Sequence, residues 1–220
     1  MATPRSSRKP DRVEDTSQRL GEFLVLHRAK VVAVVIALVV LGAAGWFYRR
    51  SVDLKHDRAE IAYFRASQAY ESQNYQLAEA DLRSVISRYS GTPGSVQAAM
   101  TLAQMFFETG KPAEGVAVLR DVAGSAPRDL KPEVYALIGA GHENLGQFEE
   151  AAQAYREASN ESRFPKDELA HKASAARALS GAGKTDDALA IWRELEAEPS
   201  QFLASEARVR IGELTARPGG

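Results

Sequence analysis

One long stretch of the chain carries no charged residue. Residues 31–48 (VVAVVIALVVLGAAGWFY) lie between Lys30 on one side and the pair Arg49–Arg50 on the other. At ~1.5 Å of rise per residue, a helix of this length covers roughly 27 Å, close to the ~30 Å hydrocarbon core of a bilayer. Trp46 lies near its C-terminal edge, where an amphipathic ring favours the headgroup layer. The pattern predicts a transmembrane helix over 31–48, in contact with the lipid bilayer.

The same segment leaves a cleaved signal peptide open as an alternative, because residues 42–44 are small (Gly-Ala-Ala). The 30 residues before the segment contain four acidic residues, whereas the leading region of a signal peptide is short and basic. Anchoring is therefore the preferred interpretation. Residues 1–18 are rich in Ser, Pro, Arg and Asp and are predicted to form a disordered basic tail, with 19–30 as a juxtamembrane segment.

From residue 57 to 216 the apolar positions follow a helical period, and the pattern repeats. Four pairs of small residues occur, and the two members of each pair are twelve positions apart: Ala66/Ala78, Ala103/Gly115, Gly139/Ala151 and Ala176/Ala188. Four positions after each second member lies a large apolar residue, namely Leu82, Leu119, Tyr155 or Trp192. Two antiparallel helices approach closely only where both present small side chains, so each pair predicts the crossing point of a helical hairpin.

Turn-forming residues lie where these hairpins need them. Five positions before the second small residue stand Gly110, Gly146 and Gly183, and Gln73-Asn74 takes that place in the first repeat. A proline follows each second helix, at positions 93, 127, 165 and 199. This small-x11-small-x3-large pattern with a following proline resembles the tetratricopeptide repeat (TPR) over roughly 150 residues.

The resemblance implies an all-α protein: one transmembrane helix followed by a TPR-type α-solenoid of about four helical hairpins over 57–216. The segment 201–216 has apolar residues at helical spacing and is predicted to be a capping helix, because the last hairpin of a solenoid otherwise exposes its stacking face.

Charge is distributed unevenly along the chain. Residues 1–50 carry nine Lys/Arg and four Asp/Glu, a net charge of +5, whereas the remainder has a net charge of −6. An acidic repeat region argues against nucleic acid as a partner. Seven Lys/Arg precede the apolar segment and five follow it closely, so the positive-inside rule favours a cytoplasmic N-terminus.

No residue is predicted to be catalytic, to bind a cofactor or to hold a metal ion, and the chain is predicted not to be an enzyme. There is no cysteine, and the four histidines lack metal-ligand spacing. Residues 181–185 (GAGKT) resemble the end of a phosphate-binding loop but fall at the turn of the fourth hairpin. His142 is interpreted as a packed ring. No small-molecule substrate is expected.

The first helices of the hairpins are expected to line a concave groove that binds protein segments. The candidate groove residues are Tyr63, Ser67, Tyr70, Glu71, Met100, Gln104, Phe107, Glu108, Glu143 and Arg177, and the same register adds Glu60, Gln97, Glu133 and Asn144. Carboxylates beside aromatic and methionine surface suit basic and apolar segments. We expect contact to centre on Tyr63, Tyr70, Met100 and Phe107, with little role for them in hairpin packing.

The layout of the N-terminal third resembles a narrower family. Phe23 is followed by one spanning helix, then by residues 45–48 (GWFY) and by an alanine-rich helix with Ala59, Ala62, Ala66 and Ala69. Over about residues 18–75 this looks like the bacterial YfgM-like proteins, ancillary subunits of the SecYEG translocon. The resemblance implies an inner-membrane anchor, a periplasmic repeat domain, and contact with the translocon and a membrane-tethered periplasmic chaperone. The alternative is a membrane-tethered adaptor in envelope assembly or regulation that faces the cytoplasm.

Overall fold

The computed structural model describes residues 28–198 and 203–216, and all regular secondary structure in these ranges is helical. The helices are α1 (Arg28–Glu71), α2 (Tyr75–Arg88), α3 (Pro93–Glu108), α4 (Pro112–Ala123), α5 (Lys131–Asn144), α6 (Phe148–Glu161), α7 (Pro165–Gly181), α8 (Thr185–Ala197) and α9 (Ala204–Ala216). The chain divides after Asp53 into two compact units. The predicted tail 1–18 and most of the juxtamembrane segment 19–30 lie outside the described residues.

The first unit contains the N-terminal part of α1. Most of its described apolar side chains are exposed, including Val39, Leu41 and Phe47. By length and composition, this is the one described helix that could cross a membrane. The helix does not end where the uncharged run ends, since α1 continues to Glu71 and includes the first helix of the first hairpin. The physical reason is that residues 49–71 contain neither glycine nor proline, so nothing interrupts the helix.

The second unit consists of four hairpins, α1/α2, α3/α4, α5/α6 and α7/α8, as the repeats predicted. Every small residue of the four predicted pairs is buried, and so are the four large residues that follow them. Gly139 shows why the crossing positions must be small, because a Cβ there would lie 2.8 Å from Cε1 of Tyr155. Helix α3 also packs directly against α5, so the first helices of neighbouring hairpins follow one another along one side of the solenoid.

The hairpin turns confirm the assignment of turn residues. Gly110, Gly146 and Gly183 have φ values of +75°, +70° and +75°, a left-handed conformation that favours glycine. Gln73 takes the same conformation in the first hairpin, with φ +59°, and Asn74 caps α2 by accepting a hydrogen bond from the Leu77 amide. Of the four predicted prolines, Pro93 and Pro165 each occupy the first position of the next helix, Pro127 lies in the loop before α5, and Pro199 lies outside the described residues.

Helix α9 packs on α8 at the C-terminal end of the repeats. Ala207 and Leu214 are buried in one cluster with Trp192 and Leu195 of α8. The predicted cap is therefore confirmed for the described part of the segment, Ala204–Ala216.

Candidate protein-binding groove

The predicted groove residues lie along α1, α3, α5 and α7, the first helices of the four hairpins. The half-buried members are Tyr63, Ser67, Tyr70, Met100, Phe107 and Glu143, and the exposed members are Glu71, Gln104, Glu108 and Arg177. The four helices thus present a mixed polar and apolar surface. Its side chains differ in their hydrogen bonds and packing contacts with neighbouring helices.

The two tyrosines of α1 reach across to α3. The Tyr63 hydroxyl lies 3.1 Å from Oγ1 of Thr101, and the Tyr70 hydroxyl donates to Oε1 of Glu108 at 2.8 Å. Burial, followed by the hydrogen bond and the negative charge of Glu108, raises the pKa of Tyr70 to about 12. The rings therefore bridge the first two hairpins and expose only part of their surface to a ligand.

Phe107 has a larger role in packing than the sequence suggested. A Cβ at Gly115 would lie 2.5 Å from its Cε1 atom, and a Cβ at Gly141 would lie 2.8 Å from its Cζ atom. The ring thus fills the space that two glycines leave between α3, α4 and α5. Met100 and Phe107 both pack against the buried cluster of these hairpins. The expectation that Phe107 contributes little to hairpin packing is corrected, because its ring closes an interhelical gap.

In the C-terminal half, Glu143 and Arg177 already have partners. The Tyr155 hydroxyl donates to Oε2 of Glu143 at 3.0 Å, and burial followed by the charge of Glu143 raises the pKa of Tyr155. Nη1 of Arg177 donates to Oε1 of Glu206 on α9 at 2.7 Å. Arg177 therefore connects the fourth hairpin to the cap.

An open pocket of about 520 Å³ lies where α5 and α7 begin. Glu133 and Ala136 of α5 line it together with Phe164, Asp167 and His171. Phe164 is 64% exposed, so its ring is accessible to a ligand. Burial lowers the pKa of His171, and the nearby charge of Asp167 acts in the opposite direction. Apolar surface meets the carboxylates of Glu133 and Asp167 here, while Asp129 and Arg163, which also line the pocket, form an ion pair with each other.

Sequence reasoning placed only Glu133 of this pocket in the groove. The available signal was the Phe164-Pro165 pair: a residue before proline is held in an extended conformation, and Phe164 has φ −113° and ψ 133°. Asp167 and His171 could not be assigned from the register, because the interhelical loop Ser162–Phe164 completes the pocket.

His142 is a packed ring, as predicted. It is buried, its Nε2 lies 2.9 Å from Nη2 of Arg120, and its Nδ1 lies 2.7 Å from Oε1 of Gln147. A guanidinium only donates hydrogen bonds, so Nε2 accepts and Nδ1 carries the hydrogen. The ring joins α4, α5 and the turn before α6.

The phosphate-loop resemblance corresponds to a hairpin turn. Helix α7 ends at Gly181, Gly183 is the left-handed turn residue, and Thr185 begins α8. A helix therefore precedes the glycines in place of the strand that a phosphate-binding loop follows. Within residues 28–198 and 203–216, no group of three His, Asp or Glu side chains is arranged to hold a metal ion.

Comparison with solved structures supports the same fold. The chain is similar to the crystal structure of the nearly identical TPR-like repeats of a candidate kinesin light chain from Podosopora anserina, with a TM-score of 0.55 and 17% identity over 72% of this chain and 87% of that chain. A crystal structure of a variant of those repeats gives a TM-score of 0.54 and 18% identity over 71% and 84%. At this identity the similarity shows the fold alone.

Comparison of sequences identifies the family. No curated protein matches the chain. The model of the tetratricopeptide repeat-like domain matches residues 27–137, which include the apolar part of α1 and the first two hairpins. Such folds are typically non-catalytic scaffolds for protein interaction. The chain belongs to the tetratricopeptide repeat-like family.

Proposed function

We propose that this protein is a membrane-anchored scaffold that binds segments of other proteins in the groove along α1, α3, α5 and α7. The observation that carries the proposal is the open pocket at the start of α5 and α7, where the exposed ring of Phe164 lies beside Glu133 and Asp167. A segment with an apolar side chain between basic ones matches this surface, because the ring supplies contact area and the carboxylates favour cations.

Binding of a labelled peptide tests this chemistry. The probe is a fluorescein-labelled 15-residue peptide with alternating lysine and leucine, and anisotropy is read with the full-length protein in detergent. Phe164→Ser and the pair Glu133→Lys with Asp167→Lys should each weaken binding by ~10-fold or more. Glu157→Lys, an exposed charge reversal on α6, should change it by less than ~2-fold.

Equal losses from the pocket variants and from Glu157→Lys would mean that the acidic repeat region attracts the peptide through its overall charge. That result would contradict a defined site at α5 and α7.

We further propose a location at the bacterial inner membrane, with the repeat unit in the periplasm as an ancillary factor linking the SecYEG translocon to a membrane-tethered chaperone. Support comes from the YfgM-like layout, from the charge bias toward a cytoplasmic N-terminus, and from the family match that begins at residue 27 and so includes the apolar helix with the repeats. The alternative remains a cytoplasm-facing adaptor in envelope assembly or regulation.

Two reporter fusions separate these alternatives. Alkaline phosphatase, which is active only after export, should be active when fused after Gly220 and inactive when fused before Arg5. The opposite pattern would reject the translocon role and leave the cytoplasmic adaptor. Retention of the active fusion in the membrane fraction after alkaline carbonate washing should distinguish an anchor from a cleaved signal peptide.

A further inference from the structure

The face of the first hairpin that points away from α3 is an exposed stacking surface. In the second hairpin, the positions that precede the small residue Ala103 by eight, five, two and one residues are at most 8% exposed: Ser95, Ala98, Thr101 and Leu102. They are covered by the first hairpin, since Ala98 and Leu102 share a buried cluster with residues of α1 and α2, and Tyr63 of α1 reaches Thr101. The corresponding positions of the first hairpin are Arg58, Ile61, Phe64 and Arg65. No described helix covers them, and Ile61 is 56% and Phe64 63% exposed. The surface thus has the register of a helix-binding face.

A groove between α1 and α2 completes this surface. It encloses about 370 Å³ and is lined by Ile61, Ala62 and Val85 in its apolar part. Arg58, Arg65 and Arg88 surround it, and Asp81 is the one carboxylate among its described lining residues. None of these arginines has an ion-pair or hydrogen-bond partner among the described residues. We call Arg58, Ile61, Phe64, Arg65 and Arg88 the end surface.

We propose that the end surface binds an amphipathic helix with acidic flanks from another protein. The helical form follows from the register, because the equivalent positions of the second hairpin are covered by the helices of the first hairpin. The acidic flanks follow from the three arginines, which have no charged partner among the described residues and lie beside exposed Ile61 and Phe64. This combination suits an apolar stripe between carboxylates. The end surface is separate from the groove along the first helices, so either proposal can fail without the other.

A second copy of this chain is a poorer occupant than an acidic helix. A symmetric contact between two end surfaces would oppose arginines to arginines. In a head-to-tail contact the exposed apolar residue of the cap, Val209, would meet the end surface, but Arg208 and Arg210 flank it in the sequence. The symmetric arrangement brings like charges together, and the head-to-tail one brings carboxylates that already pair with Arg208 and Arg210.

Two peptides of equal shape test the proposal on the full-length protein in dodecyl maltoside. Both are fluorescein-labelled 18-residue helices with one leucine stripe, flanked by glutamate in the first and by lysine in the second. The glutamate peptide should bind at least ~10-fold more tightly. Arg58→Glu with Arg65→Glu should reverse the preference, and Ile61→Asp should weaken binding of the glutamate peptide by ~10-fold or more.

Val209→Asp is the matched control, since it changes an equally exposed apolar residue at the other end of the repeats and should leave binding unchanged. Circular dichroism should show the same helix content for all variants. Equal affinity of the parent for both peptides, or equal losses from Ile61→Asp and Val209→Asp, would overturn the proposal.

Two further readouts identify the competing occupants. Because the chain contains no cysteine, Phe64→Cys can be labelled with an environment-sensitive dye at that site alone. A blue shift on addition of the glutamate peptide supports the proposal. A blue shift without peptide in nanodiscs of phosphatidylglycerol, absent in phosphatidylcholine, would assign the surface to lipid. A dimer in sedimentation that Ile61→Asp dissociates would assign it to a second copy. Either result overturns the acidic-helix assignment.

Discussion

The two ends of the repeat unit differ in how their stacking faces are covered. At the C-terminal end, α9 packs on α8 and buries Trp192, Leu195 and Leu214 in one cluster. At the N-terminal end, Ile61 and Phe64 are exposed, although their counterparts in the second hairpin, Ala98 and Thr101, are buried. A hairpin of this kind has a stacking face on each side, so a helix that covers one face leaves the other face exposed to solvent. The comparison indicates that the C-terminal face serves stability and the N-terminal face is available for binding.

The largest difference between the ends should appear on removal of one large ring from each. Trp192→Ala should lower the free energy of unfolding by ~3–5 kcal/mol, because the indole is fully buried beneath the cap. Phe64→Ala should change it by less than ~0.5 kcal/mol. Urea unfolding of the fragment 54–220, followed by circular dichroism, measures both values. A large loss from Phe64→Ala would show that the N-terminal face is covered.

Trp192→Phe refines the same measurement. The indole nitrogen Nε1 of Trp192 is buried without a hydrogen-bond partner among the described residues, so tryptophan leaves a polar group unsatisfied there. Phenylalanine removes that penalty while keeping most of the ring. The substitution should therefore cost clearly less than Trp192→Ala.

A carboxylate introduced at each end gives the next largest contrast. Leu214→Asp should destabilise the fragment by ~2–4 kcal/mol, because it buries an unpaired charge between α9 and α8. Ile61→Asp should cost less than ~0.5 kcal/mol, since the side chain stays in water and adjoins Arg58 and Arg65. Thermal melting of the two variants side by side checks the difference, and similar melting temperatures would contradict it.

Substitution of two glycines compares the effect of added side-chain volume inside the solenoid and on the outside of its cap. Gly139→Leu should cost ~1–3 kcal/mol or more, because even a Cβ would collide with the Tyr155 ring. Gly212→Ala on α9 has open space around the new Cβ and should stabilise the fragment by ~0.5–1 kcal/mol through helix propensity. If Gly139→Leu unfolds like the parent, the assigned repeat register is wrong.

The smallest effect concerns the turns of the first and last hairpins. Gln73→Gly should stabilise the fragment by up to ~1 kcal/mol, because a left-handed φ of +59° strains a residue with a Cβ. Gly183→Gln should destabilise it by a similar amount, since φ is +75° there. Urea midpoints measured in parallel should move in opposite directions. Shifts in one direction would mean that the two turns are not equivalent.

The hairpins and their crossing points could be predicted from the sequence, because pairs such as Gly139 and Ala151 repeat at a fixed spacing and each has one structural explanation. The length of α1 could also have been read from the absence of glycine and proline in 49–71. The packing roles that the sequence did not reveal depend on contacts between hairpins. Phe107 has the register of a groove residue, and only the positions of Gly115 and Gly141 give its ring a packing role.

The candidate site was predictable only in outline for the same reason. The register identified the helices that line the groove and included Glu133, but the pocket also needs Phe164, which belongs to a loop outside the repeat pattern. The end surface was not predicted either. The sequence shows which residue types occupy these positions, but their exposure depends on whether another helix packs against that face of α1.

Site-specific photo-crosslinking in intact membranes tests the central claim, that protein segments bind along the first helices of the hairpins. A crosslinker replaces Ser67 or Gln104 on the groove side, or Ala117 or Ala190, which are exposed on the second helices α4 and α8. Captured proteins are identified by mass spectrometry. The account predicts that the two groove positions capture the same partner and that both second-helix positions capture far less. Equal capture from all four positions, with no shared partner at Ser67 and Gln104, would contradict it.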